Sequence, residues 1–200
     1  MGMAYRIFLK ITRVWAQIFA RLYFPIKIEG LNNIPLNQPV ILAANHRSNI
    51  DGVLLQYACP RPVRFMLDAW YYNFPVAHWF FIFIGSIPVF FKGRNFANLD
   101  AAVAALKQSR IVGIFPEGGR TRTPKMRRFR LGAAYLAKEA QVPVVPVYLG
   151  NTAKCLPFGA WFPRRGEMIV RFATPITISP SENLADFSAR LRDNVLRLSQ

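Results

Sequence analysis

Acid is what this chain is short of. Its 200 residues carry 10 Asp+Glu against 26 Lys+Arg, a formal charge of +16. Charged residues make up 18% of the chain and hydrophobic ones 52%; globular domains usually hold ~25% charged residues. That balance excludes a disordered chain, and the length suits one domain with a substantial core. A field of one sign attracts anionic lipid, nucleic acid or phosphorylated substrates. The abundance of Phe and Trp beside that charge favours a membrane surface over nucleic acid.

Cysteine and histidine are scarce as well. Cys59 and Cys155 match no CxxC or zinc spacing, which points to buried packing thiols in a reducing, cytoplasmic setting. With two histidines and no cluster of carboxylates, a metal site lacks ligands, so none is expected. Repeats, low-complexity tracts and long linkers are absent too.

Two segments are unusually apolar. Residues 3–24, MAYRIFLKITRVWAQIFARLYF, place Arg6, Lys10, Arg13, Gln17 and Arg21 on one stripe of a helix, with Ile, Phe, Val, Trp and Leu around the rest. Residues 1–25 are therefore expected to form an amphipathic helix in the headgroup region of a membrane, or one packed on the core with its basic stripe in water. The recurring cations argue against a bilayer span and against a cleaved signal peptide. Residues 69–91, AWYYNFPVAHWFFIFIGSIPVFF, hold no formally charged side chain but are broken by Pro75, Gly85 and Pro88. A helix over about 73–83 and a strand over 86–91 are expected. The aromatic surplus fits core, the wall of a fatty-chain tunnel, or a face dipping into a membrane. His78 reads as a hydrogen-bonded packing residue.

Strands are expected at 26–29, 39–44, 63–67, 111–115, 144–149 and 168–172, with helices over 96–108 and 131–140. A last helix is announced by S-P-S-E at 179–182, with Ser179 as cap and Glu182 reaching back. Alternating strands and helices imply a single α/β domain over 26–200, built on a largely central mixed or parallel sheet flanked by helices. In such sheets ligands gather beyond the carboxyl ends of strands.

Two of those ends carry polar motifs. PVILAA runs into NHRSNID (45–51), where His46 stands five positions before Asp51. On a continuous helix the two side chains would lie roughly 140° apart, and on a strand they would point to opposite sides. They meet only if Arg47 to Ile50 bend, with Ser48 or Asn49 capping a helix whose first turn holds Asp51. The aspartate then fixes one imidazole nitrogen and leaves the other to take a proton. No G-x-S-x-G elbow exists and neither cysteine adjoins the motif, so the nucleophile would be a hydroxyl of the substrate. A lipid hydrolase would lack its attacking group. IVGIF runs into PEGGRTR, where Gly118 and Gly119 let amides approach an anion and Arg120 and Arg122 offer forked donors for phosphate. Lys125, Arg127, Arg128 and Arg130 follow, either as a solvated basic loop or as contacts to anionic lipid or an acidic carrier protein.

Over roughly residues 30–175 the chain resembles the membrane-bound glycerolipid acyltransferases of the 1-acylglycerol-3-phosphate acyltransferase family. NHRSNID looks like its NHx4D block, which implies His46 as general base and Asp51 as its orienter. FPEGGRTR (115–122) looks like its FPEGTRS block, which implies that Glu117, Gly118 and Arg120 bind the acceptor's phosphate. VPVVPVYL (142–149) resembles its proline-containing fourth block. Gly119 replaces the usual Thr. In GSIPVFFKGR (85–94), Phe91 takes the position of the block's arginine, with Lys92 and Arg94 as the nearest substitutes. The resemblance implies acyl transfer from a thioester of coenzyme A or acyl carrier protein to a lysophospholipid, in particular 1-acylglycerol-3-phosphate to give phosphatidic acid. It implies no further cofactor, and a site at the cytoplasmic face of the inner or plasma membrane. The alternatives are another lysolipid or glycolipid acceptor, or a non-catalytic basic protein bound to anionic membrane or nucleic acid.

Overall fold

The computed structural model describes residues 11, 12, 15, 23–75, 78–89, 99–123 and 125–200. The basic stripe expected on the first helix lies outside these residues, as do Lys92 and Arg94; Ile11 and Trp15 are exposed. Among the described residues no helix is long and apolar enough to cross a membrane.

Seven strands form one mixed sheet: β1 (Ile26–Glu29), β2 (Val40–Ala44), β3 (Val63–Asp68), β4 (Ile87–Val89), β5 (Ile111–Ile114), β6 (Val144–Gly150) and β7 (Met168–Phe172), in the order β1-β7-β6-β2-β5-β3-β4. The run from β6 to β4 is parallel throughout. Only β6 and β7 pair antiparallel, and β1 is parallel to β7. All six strands expected from the core apolar runs form, and the seventh covers part of 86–91.

Burial on both faces explains why the central runs are continuously apolar rather than alternating. In β2, Val40, Leu42 and Ala44 pack into one cluster and Ile41 and Ala43 into the other, as a side-chain period of two requires. The Ile41 face is covered by α4 (Asp100–Lys107), α5 (Gly132–Ala140) and α7 (Leu184–Arg197), through Leu106, Leu136, Phe187 and Leu191. The Val40 face is covered by α1 (Asp51–Ala58) through Leu54 and Leu55. Cys59 and Cys155 are buried in that second cluster and are not joined in a disulfide. Burial raises the Cys155 thiol above its ordinary pKa.

Two helical expectations need correction. Of the helix expected over 73–83, the described part is α3 (His78–Phe83); a separate short helix, α2 (Ala69–Tyr72), ends before that span, and Pro75 lies between the two. Asp68 starts α2 by accepting the Trp70 N–H at 2.9 Å. The last helix opens later than S-P-S-E suggests. Glu182 does reach back to the Ser179 N–H, at 3.3 Å, but this closes a turn ahead of the helix. The cap is Asn183, which keeps extended backbone and accepts the N–H groups of Ala185 and Asp186, both at 2.9 Å. Between β6 and β7 lie α6 (Thr152–Cys155) and an irregular loop.

Hydrogen bonds from Arg190, at 2.7 and 3.0 Å, hold the Glu182 carboxyl below its ordinary pKa of 4.5. A carboxyl depressed by folding adds stability above its unfolded pKa and loses it as pH falls through the folded value. Arg190→Met should therefore lower stability at neutral pH and flatten the acid limb of a denaturation-against-pH curve below about pH 4.5. An unchanged limb would mean that the pair contributes nothing to acid sensitivity.

Candidate active site

β2 and β5 are parallel neighbours, so the residues that follow them emerge side by side on one rim. Asn45, the first residue beyond β2, is buried and clasps the backbone of Leu149 on β6. Its Oδ1 accepts the Leu149 N–H at 2.7 Å and its Nδ2 donates to the Leu149 carbonyl at 3.0 Å. This fixes the exit direction of the chain just before His46.

The bend between His46 and Asp51 exists. His46 Nδ1 lies 2.8 Å from Asp51 Oδ2. The same oxygen accepts the backbone N–H groups of Arg47 at 2.6 Å and Ser48 at 2.8 Å. Asp51 is the first residue of α1, so its carboxylate folds back over the turn instead of pointing along the helix. The expected cap at Ser48 or Asn49 is thereby corrected: α1 has no side-chain cap, and Asp51 itself serves the turn's amides. Ser48 instead donates its hydroxyl to the Leu156 carbonyl at 2.8 Å. Asp51 is fully buried, whereas 20% of the His46 side chain is exposed. The imidazole stacks on Phe115 at 4.2 Å and 19°. With the ring proton on Nδ1 donated to Asp51, the Nε2 lone pair is the one left for a substrate.

Glu117 faces the protein interior. It is buried, and both carboxylate oxygens are engaged inside the protein. Oε1 accepts the His46 N–H at 2.8 Å; Oε2 accepts the Thr121 hydroxyl and, at 3.0 Å, the Arg127 N–H. Thr121 returns the link by donating its N–H to the His46 carbonyl at 2.8 Å. Glu117 is thus a carboxylate surrounded by protein donors. It ties the two motifs together. Gly118 is likewise committed: its N–H donates to the Phe115 carbonyl at 3.0 Å, and its φ of 70° suits glycine. A Cβ there would lie 2.3 Å from Arg130 Nε. Gly119 is different, since a Cβ at that position would meet nothing within 4 Å.

Arg120 and Arg122 stand at this rim with no carboxylate partner among the described residues. Both guanidinium groups stack on Phe158, 4.5 and 3.9 Å from its ring centre. Phe158, Asn45, Phe115 and Thr121 are the neighbours the motif reading missed. Thr121 lies inside the quoted motif, but nothing local marks Phe158, which reaches the site across a long sequence separation. His78 is a packing residue: it is half-buried and bonds the Tyr72 carbonyl through Nδ1 at 2.9 Å. No group of three or more metal-ligating side chains occurs among the described residues.

Glu117→Ala would leave three donors near the rim without their acceptor. Unmatched buried donors cost about 1–3 kcal/mol each, so this variant should lose roughly 2–3 kcal/mol or more in urea denaturation. A loss below about 0.5 kcal/mol, a surface-substitution value, would contradict the tie between the motifs.

Comparison with known proteins places this geometry in company. The chain is 28% identical over 180 residues to a chloroplastic 1-acyl-sn-glycerol-3-phosphate acyltransferase, BAT2, of Brassica napus, covering 88% of this chain and 52% of that protein. It is 29% identical over 192 residues to a 1-acyl-sn-glycerol-3-phosphate acyltransferase of Haemophilus influenzae, covering 89% and 77%. The chain thus spans about half the length of the plant relative. The fold matches the crystal structure of the 1-acyl-sn-glycerophosphate (LPA) acyltransferase PlsC from Thermotoga maritima with a TM-score of 0.81, at 23% identity, over 97% of this chain and 79% of that one. The profile of the family described as Acyltransferase matches residues 25–150, which include both motifs and the strands that carry them. By that match the chain belongs to the Acyltransferase family.

Proposed function

We propose that the chain transfers a fatty acyl group from a thioester of coenzyme A or acyl carrier protein to the hydroxyl of a lysophospholipid, with 1-acylglycerol-3-phosphate as acceptor and phosphatidic acid as product. The observation that carries this reading is the His46–Asp51 pair, 2.8 Å apart on the same rim as two arginines that have no carboxylate partner among the described residues. The names of the plant and bacterial relatives support the choice of acceptor.

His46 Nε2 takes the acceptor's hydroxyl proton as the oxygen attacks the thioester carbonyl. The tetrahedral intermediate collapses with cleavage of the carbon–sulfur bond, and the thiolate leaves with the proton carried by the imidazolium. Asp51 holds the ring's tautomer and orientation and faces the positive charge that forms on it. Arg120 holds the acceptor's phosphate with forked donors, and the open space at Gly119 lets that group approach. Lys92 and Arg94 are assigned to the same anion by resemblance. Glu117 acts as a positioning residue through the His46 N–H.

A covalent acyl-enzyme finds little support at this site. Ser48 is buried with its hydroxyl donated to Leu156, and both thiols are buried in the core. A non-catalytic lipid binder would give no reason for three donors to converge on one aspartate oxygen beside a partly exposed imidazole. We place the reaction at a membrane surface, on its cytoplasmic side. No resident metal or redox group enters the scheme.

His46→Ala should lower thioester-dependent acylation by about 10²–10⁴-fold, the usual worth of general-base help. Arg120→Ala should raise KM for the phosphorylated acceptor and leave KM for the thioester near its original value. Near-normal turnover in folded His46→Ala would refute the base. Equal effects of Arg120→Ala on both substrates would refute the phosphate assignment.

A further inference from the structure

Trp161 and Phe162 expose 92% and 85% of their surface, more than any other large hydrophobic among the described residues. They sit in the loop at 156–166, which follows α6 and leads to β7. Single exposed apolar residues are ordinary, but two adjacent large aromatics so fully bared are not. Nor is the loop loosely held. The Arg164 N–H donates to the Cys155 carbonyl at 2.6 Å, the Ala160 N–H to Pro157 at 3.1 Å, and Ser48 fastens Leu156 to the active-site turn. The aromatic tip is therefore a built protrusion on a fixed base.

Its surroundings are basic. Lys154, Arg164 and Arg165 are exposed, and no acidic residue occurs from 152 to 166. Arg120 and Arg122 lie against Phe158 of the same loop. Topology sets where this loop stands. β6, β2, β5 and β3 are parallel, so their carboxyl ends share one rim. The loop leaves from the β6 end, His46 follows β2, and α2 starts directly from the β3 end, with Trp70 67% and Tyr71 51% exposed. In the order of the sheet, the site lies between two segments that bare aromatic side chains.

We propose that the 156–166 loop inserts Trp161 and Phe162 into the headgroup region of an anionic bilayer, with Arg164 and Arg165 on its phosphates, so that the His46–Asp51 rim faces the lipid. Tryptophan, apolar in body with one N–H donor, suits that boundary. Basic residues beside it gain from the negative surface. Two side chains on a short loop present far less than the roughly 800 Å² per partner of a stable protein interface, which favours a bilayer over a carrier protein. The contact stands apart from the acyltransferase reading; only its benefit, a lysolipid reaching Arg120 without leaving the bilayer, rests on that reading.

Replacing Trp15, Trp70 and Trp79 by Phe in the full chain leaves Trp161 as the one fluorophore of the 4 tryptophans. With vesicles of phosphatidylcholine and phosphatidylglycerol, its emission should shift to the blue and be quenched by brominated acyl chains. W161A/F162A should cut vesicle partitioning by about tenfold or more, because two side chains lose their burial. Four results would overturn the proposal: no binding to these vesicles, binding with Trp161 unquenched, equal partitioning of W161A/F162A, or protection of Trp161 by an acidic acyl carrier protein alone. None of these readouts involves turnover, so an inactive protein whose loop inserts would refute the acyltransferase reading and spare this one.

Discussion

One oxygen atom, Oδ2 of Asp51, accepts from the His46 ring and from the amides of Arg47 and Ser48. Those amides belong to the turn that brings ring and carboxylate together. The interaction that orients the imidazole is thus the same one that closes the bend, and neither can be lost alone. Glu117 repeats the device one strand away, taking the His46 amide on one oxygen and the Thr121 hydroxyl and Arg127 amide on the other. Two buried carboxylates, in a chain with only 10 Asp+Glu, organise the whole rim. Leaving buried amides without acceptors is costly, which is why such clasps resist loosening.

The sheet supplies what the clasps need. A strand buried on both faces cannot slip by one residue without sending its side chains to the wrong layer, so β2 and β5 deliver their motifs in fixed register, Ala43 opposite Ile114. Asn45 adds a second lock, to β6, through both of its amide atoms. Basic residues occupy the same rim, with Phe158 stacked beneath two of them.

Much of this was legible in the residues because the signals were local. Continuous apolar runs announced the parallel strands. The spacing of His46 and Asp51 required a bend, and the bend is there. Where reading failed, competing local options or distance were the cause. Ser179 and Asn183 are both good caps and stand four positions apart; packing of Phe187 and Leu191 in the core fixes the later start. Pro75 lies between α2 and α3, where an apolar pattern followed through it suggests one helix. The resemblance implies a place for Glu117 in an anion site, and its hydrogen-bond partners, His46 and Arg127, are not readable from the motif because the tertiary fold sets them. Phe158 carried no mark at all, since only the return of the loop after β6 brings it to the arginines.

The central claim is that this rim acylates a lysophospholipid with His46, oriented by Asp51, as the base. Its most direct test is mass-spectrometric detection of product from the purified chain, 1-acylglycerol-3-phosphate and an acyl thioester, run beside Asp51→Asn shown to be folded by circular dichroism. The account expects phosphatidic acid from the native chain and a rate about a hundredfold or more lower from the variant, within the span of general-base catalysis. Phosphatidic acid formed at an undiminished rate by Asp51→Asn, or no acylated product from any lysophospholipid and either thioester, would contradict it.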